Sequence, residues 1–169
     1  MKAIGIITDS HSSIDQKKAE ELGIMVLPMP FSIGGKCYYE GVTLSREEFF
    51  HKLDSGEDIT TSQPSPEEVM ELWDRALKEY ETVLYLPISS GLSGSCETAE
   101  ILVREEAYEN RVFVVDNGRV STPMHRAVLD ALELIEEGYT AAQIKEILEK
   151  NKQDMVIYIA VETLEHLKR

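Results

Sequence analysis

Five apolar runs without polar alternation constrain this chain more than any other feature: AIGIIT (3–8), IMVLPMPF (24–31), TVLYLPI (82–88), RVFVVD (111–116) and MVIYIAV (155–161). Each has the length of a strand, and a strand that is apolar at every position has to be buried on both faces. A sheet built from such strands needs a layer of helices on each side.

The intervening segments supply those helices. SSIDQKKAEELG (12–23) ends on Gly23, the residue type that best tolerates a left-handed cap. SREEFFHKLDSG (45–56) opens with Ser45 and Glu48, SPEEVMELWDRALKEY (65–80) with Ser65, Pro66 and Glu68, and the segment 140–151 with Thr140 and Gln143. That spacing lets each hydroxyl and the side chain three residues later cap the same helix start. Further helices are expected over 95–108 and 122–137. The alternation predicts an α/β fold, a mostly parallel sheet with helices on both faces and right-handed crossovers. FSIGGKCYYEG (31–41) breaks the pattern and reads as a short hairpin turning at Gly34-Gly35.

With 169 residues, no internal repeat and no low-complexity linker, the chain is expected to form one α/β domain over 1–169. After its last strand it runs through about two helical turns to Arg169 without a terminal cap, the form of one domain of a longer protein. A net charge of -14 argues against nucleic acid or an anionic membrane as partner, because both are polyanions. Cys37 and Cys96 are too few for a disulfide framework and lack metal-ligand spacing, which fits a reducing cytoplasm. MKAIGIITDSHSS reaches Asp9 too early for a signal peptide, and no apolar segment approaches the ~20 residues of a membrane span. A soluble cytoplasmic protein is expected.

In an open parallel sheet, ligands bind beyond the carboxyl ends of the strands, where helix N-termini offer free N–H groups. Four loops there are rich in small polar residues: TDSHSS with Thr8, Asp9 and Ser10, TTSQPSPEE with Thr60, Thr61, Ser62 and Gln63, SSGLSGS (89–95), and NGRVSTP (117–123). Asp9 and Ser65 read as helix caps. One helix start needs one cap, whereas the third loop carries Ser89, Ser90, Ser93 and Ser95 with Gly91 and Gly94. It reads as a nest for an anionic oxygen, most simply a carboxylate.

Catalytic readings find little support. GLSGS sets Ser95 where a nucleophile elbow requires glycine, and His11, His51, His125 and His166 show no sign of a triad; each reads as a surface or packing residue. There is no G-K-[ST] phosphate loop and no G-x-G-x-x-G after the first strand. Asp9 and Asp116 stand at strand ends without a His or Cys to complete a metal site. No catalytic residue, metal or cofactor is therefore assigned. Three classes remain open: a carrier, an enzyme that binds a small phosphate-type anion in the serine-rich loop, and an interaction module with an acidic face.

TDS (8–10), TSQPSP (61–66), ISSGLSGS (88–95), VVD (114–116) and VETLEHLKR (161–169), in this order over essentially the whole chain, closely resemble the DegV family. TSQPSP and SSGLSG together are the specific part. The resemblance implies an intracellular carrier of long-chain fatty acids, not an enzyme. In bacteria that have the system, such proteins are the binding subunit of fatty acid kinase and present the carboxylate to a separate ATP-using catalytic subunit that makes an acyl phosphate.

Carried over by motif, Thr61 and Ser93 hold the carboxylate, with Ser62, Gly94 and Ser95 in support and Ser10 and Ser121 at the same site. Where members commonly continue VVD with a serine and a glycine-containing segment, this chain reads VVDNGRVSTPMHRAV, with Asn117, Pro123 and His125 but Ser121 retained. Members are generally longer, with a second domain that closes over the acyl chain. The resemblance thus implies an N-terminal domain, with apolar surface that the other domain would cover.

Overall fold

The computed structural model describes residues 2–154, 158 and 160. The strand expected at 155–161 and the short helix after it lie, those two positions apart, outside the described residues. In chain order the elements are β1 (Lys2–Asp9), a 3-10 turn (Ser10–Ser12), α1 (Gln16–Leu22), β2 (Met25–Leu27), β3 (Pro30–Ile33), β4 (Lys36–Tyr39), α2 (Arg46–Asp54), β5 (Ile59–Thr61), α3 (Pro66–Ala76), β6 (Tyr80–Leu86), α4 (Ser95–Leu102), β7 (Val112–Val114), α5 (Ser121–Glu136), α6 (Ala141–Lys150) and a second 3-10 turn (Asn151–Asp154).

The expected parallel sheet is present, with four strands in the order β2-β1-β6-β7. Side chains alternate across it, and both faces are apolar. Ile7, Val83, Tyr85, Val112 and Val114 join one core with Trp73 of α3 and Ala99 of α4. Ile6, Leu84, Leu86 and Val115 join another with Val128 of α5 and Ile144 of α6. This two-sided burial is why the strand runs contain no polar alternation. Trp73 is the keystone of the first core, meeting Tyr85 and Tyr108 edge-on at 5.6 and 5.1 Å between ring centroids.

All three expected capping boxes form: Ser45 with Glu48, Ser65 with Glu68, and Thr140 with Gln143. Three helices are shorter than their patterns. α1 begins only at Gln16, where the Asp15 carboxylate accepts the Lys18 N–H at 2.7 Å. α3 stops at Ala76, and Tyr80, the last residue of its pattern, already begins β6. α4 stops at Leu102, and Tyr108 beyond it turns in to pack on Trp73.

The run 24–31 is two strands rather than one. Pro28 and Pro30 cannot donate to a ladder, so the chain leaves the parallel sheet after Leu27. From Pro30 it enters a separate antiparallel sheet of order β4-β3-β5. The hairpin turns as expected at Gly34 (φ 56°) and Gly35 (φ 82°), both left-handed as a two-residue turn of this kind requires. This second sheet and α2 stand against the carboxyl edge of β1 and shape the site.

Candidate ligand-binding site

A cavity of about 750 Å³ lies among the first 3-10 turn, β2, β3, α2 and β5. Ile14, Val26, Met29, Phe31, Leu44 and Phe49 give it an apolar wall. Phe31 and Phe49 meet edge to face at 5.4 Å, which fixes that part of the wall. Ser10, His11, Glu40, Thr61 and Ser62 supply polar groups, and no Lys or Arg lines the space among the described residues.

Thr61 ends β5 opposite Phe31 of β3, and Ser62 is tied to this edge by its N–H on the Pro30 carbonyl at 3.4 Å. Both residues are exposed, and among the described residues neither hydroxyl has a hydrogen-bond partner. Ser10 differs. Its hydroxyl donates to Glu40 Oε2 at 2.6 Å and accepts the Met29 N–H at 3.1 Å, so it pins the second sheet to the end of β1.

Asp9 caps the 3-10 turn as expected, but it does more. Its carboxylate is fully buried, with Oδ2 accepting the Ile88 N–H at 2.7 Å and Oδ1 the His11 N–H at 2.9 Å. His11 Nδ1 stands 3.2 Å from Oδ1, so His11 is not the lone histidine that the sequence suggests. Burial lowers the affinity of its ring for a proton, but the Asp9 hydrogen bond and the charges of Asp9 and Glu40 outweigh it and raise the pKa. The available signal was the spacing D-x-H at a capped turn, which folds residue 11 back over residue 9. No serine bonds to the other ring nitrogen among the described residues, so the pair is not part of a triad.

SSGLSGS is less open than a nest, because its hydroxyls find partners within the fold. Ser89 accepts the Gly91 N–H at 3.2 Å, and Ser90 donates to Asp116 Oδ2 at 2.5 Å, an oxygen that also receives Lys152 Nζ at 2.6 Å. Ser93 accepts the Ser95 N–H at 3.2 Å, and the two hydroxyls are 2.8 Å apart. One proton serves that contact, which leaves the other hydroxyl proton uncommitted. Ser93 is half-buried, Gly94 exposed and Ser95 buried.

These three residues adjoin the cavity through Gln63 and do not line it. Gln63 Nε2 donates to Thr98 Oγ1 of α4 at 3.1 Å, and its Oε1 lies where a side chain at 94 would begin. Ser121 is one step removed on the other side, with its Oγ 3.3 Å from Oγ of Ser13, which does line the cavity. The structure thus brings Ser10, Thr61 and Ser62 to one cavity and sets Ser93, Gly94, Ser95 and Ser121 at its margins. Asn117 and Arg119, both buried, position the adjoining loop: Asn117 Oδ1 accepts the Arg119 N–H, and the Arg119 carbonyl accepts the Ser89 N–H, each at 3.0 Å.

No described helix is long and apolar enough to cross a membrane. Val42, Phe50 and Leu92 are each roughly half exposed, an apolar fringe on the cavity and the SSGLSGS loop.

Comparisons with known proteins agree with this architecture. A DegV-domain protein of Caldanaerobacter subterraneus subsp. tengcongensis is 34% identical over 85% of this chain and 51% of its own length. One from Deinococcus radiodurans is 34% identical over 98% of this chain and 59% of its own length. Among solved structures, a Thermus thermophilus DegV family protein described for its fatty acid binding superposes with a TM-score of 0.79 at 36% identity, covering 89% of this chain and 54% of that one. DegV of Bacillus subtilis, described as a fatty acid binding protein, gives a TM-score of 0.79 at 26% identity over 90% of this chain and 55% of that one. The chain spans little more than half the length of these proteins. The family model described as "Uncharacterised protein, DegV family" matches residues 3–169, and the chain belongs to the DegV family.

Proposed function

We propose that this chain binds a long-chain fatty acid, with the acyl chain in the cavity behind Phe31 and Phe49 and the carboxylate at Thr61 and Ser93. Ser62, Gly94 and Ser95 support the head group, and Ser10 and Ser121 shape the site around it. The observation that carries the reading is an apolar cavity bearing two hydroxyls, Thr61 and Ser62, that have no partner among the described residues. The volume falls inside the range of roughly 300–1,000 Å³ that ligand sites occupy. The fatty acid binding for which the Thermus thermophilus and Bacillus subtilis proteins are described supports the same ligand class.

The energetics divide between tail and head. Burial is worth about 0.8 kcal/mol per methylene, so a long chain offers on the order of 10 kcal/mol before the cost of association. Each hydroxyl contact adds about 0.5–1.5 kcal/mol, somewhat more to a charged group. The tail therefore sets affinity and the head group sets register. A small phosphate-type anion, placed in the serine-rich loop, has no tail and would leave the apolar wall of the cavity unused.

In this proposal the chain is a cytoplasmic carrier, not an enzyme. It is the N-terminal domain of a longer protein, whose second domain covers the apolar fringe of Val42, Phe50 and Leu92. Thr61, Ser62 and Gly94 are exposed, so a carboxylate held there stays within reach of a separate kinase subunit that forms the acyl phosphate.

The test is mass spectrometry of a solvent extract of protein expressed in bacteria and purified without lipid, followed by titration with palmitate. A stoichiometric free fatty acid, or palmitate binding that phosphate and sulfate do not displace, is the expected result. No lipid and no palmitate binding by folded protein would overturn the carrier reading, and displacement by phosphate would favour an anion-binding enzyme. Formation of acyl phosphate when a bacterial fatty acid kinase catalytic subunit and ATP are added tests the presentation step.

A further inference from the structure

We propose that His11 is a ligand-binding residue of the cavity: its Nε2–H donates to the anionic head group, and binding of the ligand is coupled to uptake of a proton by the imidazole. The inference rests on the fatty-acid reading and assigns the positive charge of that site.

Geometry comes first. Asp9 is immobilised by two backbone N–H groups, those of Ile88 at 2.7 Å and His11 at 2.9 Å, and it is fully buried. It faces His11 Nδ1 at 3.2 Å, so the proton on that side of the ring is held by a fixed acceptor. The ring lines the cavity, and Nε2 has no hydrogen-bond partner among the described residues. An imidazole with its proton on Nδ1 presents Nε2 as a bare acceptor, which repels a carboxylate. A second proton turns the same atom into a charged donor aimed by Asp9.

Charge makes that second proton matter. Of the described lining residues, Asp15 and Glu40 are acidic, none is Lys or Arg, and His11 is the one able to carry a positive charge. The groups around it are Asp9 from β1, Glu40 beyond β4, and Asp15 ahead of α1; the loop after β6 contributes the Ile88 N–H to Asp9. α5 packs on the same turn and carries His125 and Arg126 near its start. Glu40 already takes the Ser10 hydroxyl at 2.6 Å, so that hydroxyl is not available to offset an incoming anion. An anionic head group entering this acidic end therefore raises the proton affinity of His11, and by reciprocity a protonated His11 raises the affinity for the anion.

The experiment is calorimetric titration with decanoate from about pH 5.5 to 8.5, a range around the ordinary histidine value of about 6.5 in which a carboxylate of pKa near 4.3 stays ionised. It is run on the wild-type chain and on His11→Gln, alongside NMR titration of the His11 ring with and without ligand. Expected are a wild-type affinity that falls as His11 deprotonates, by up to about tenfold per pH unit, a flat profile in His11→Gln, and a His11 pKa that rises on saturation. Equal pH dependence in both proteins, or an unmoved His11 titration in the saturated wild type, overturns the inference while leaving the fatty-acid reading intact. The NMR arm decides the matter even if His11→Gln folds poorly. Absence of decanoate binding at every pH overturns both.

Discussion

Gln63 stands over Gly94: a β-carbon added at 94 would lie 2.9 Å from Gln63 Oε1, while Gln63 Nε2 donates to Thr98 Oγ1 at 3.1 Å. One amide thus closes TSQPSP on SSGLSG, and glycine is what leaves room for it. Gly94 has φ -70° and ψ -3°, a conformation that alanine adopts freely. Gly94→Ala should therefore leave stability within about 0.5 kcal/mol, because only the end of an exposed side chain has to move. The Gln63 bridge should be lost and fatty-acid affinity should fall. Thermal unfolding and palmitate titration of Gly94→Ala and Gln63→Ala check this; unchanged affinity in both would mean that the bridge does not serve the site.

The two hydroxyls assigned to the carboxylate should separate in their effect on stability. Thr61 Oγ1 has no partner among the described residues, so Thr61→Ala should weaken palmitate binding several-fold, by about 0.5–1.5 kcal/mol, with little change in Tm. Ser93 Oγ accepts the Ser95 N–H at the first residue of α4, whose N-cap position, Gly94, has no side chain to do so. Ser93→Ala should weaken binding and also lower stability by about 1 kcal/mol, the usual worth of such a hydrogen bond. Paired denaturation and binding curves measure both; a Thr61→Ala protein that loses stability but not affinity would remove Thr61 from the site.

Much of the scaffold was legible because its signals are local. Ile6 and Ile7 face opposite cores, and a run that is apolar on both faces has few alternatives to a covered parallel strand. The three capping boxes are set by residues three apart, which a sequence displays directly. What was not legible depends on distant partners. β5 is short and mostly exposed and exists because β3 pairs with it. Ser90 looked like part of a nest until Asp116, far along the chain, took its proton. The cavity is assembled from residues spread between Ser10 and Ser62 and has no linear pattern, so the motifs identified Thr61 and Ser62 but not Glu40 or His11 as lining residues.

Gly5 is required by Tyr80. A β-carbon at residue 5 would fall 2.7 Å from Cγ and Cδ2 of the Tyr80 ring, and that ring is buried with its hydroxyl on the Gly23 carbonyl at 3.3 Å. Neither partner can retreat without disturbing the β1–β6 pairing, where Lys2 lies opposite Tyr80. Gly5→Ala should destabilise the fold by about 1–3 kcal/mol in chemical denaturation. Combining it with Tyr80→Leu should cost less than the two single changes together, since the smaller side chain vacates the contact.

The two cysteines should react at very different rates. Cys96 is 2% exposed on α4, and burial, with the nearby Asp116 and Glu100 charges, pushes its thiol up to about 12. Cys37 is exposed on β4. Since the thiolate is the reactive species, an alkylating reagent near pH 8 should label Cys37 quickly and Cys96 only after denaturation. Mass spectrometry of peptides from native and unfolded protein reads both rates; rapid native labelling of Cys96 would mean that α4 opens readily.

His11 also makes stability depend on pH without any ligand. The Asp9 contact and the Glu40 charge raise its pKa in the folded chain against the opposing effect of burial. A folded-state pKa above the unfolded value of about 6.5 means that the folded chain holds its proton more tightly. The resulting stabilisation is fully present below the unfolded pKa and is lost as pH rises through the folded one. Wild-type Tm should therefore exceed that of His11→Gln most at about pH 6, below the unfolded value, and the gap should narrow as pH rises through the folded-state pKa. Parallel thermal melts of the two proteins across that range measure the gap. A difference that stays constant with pH would show that His11 stabilises the turn through its ring hydrogen bond alone, without the charge that the Asp9 pairing favours.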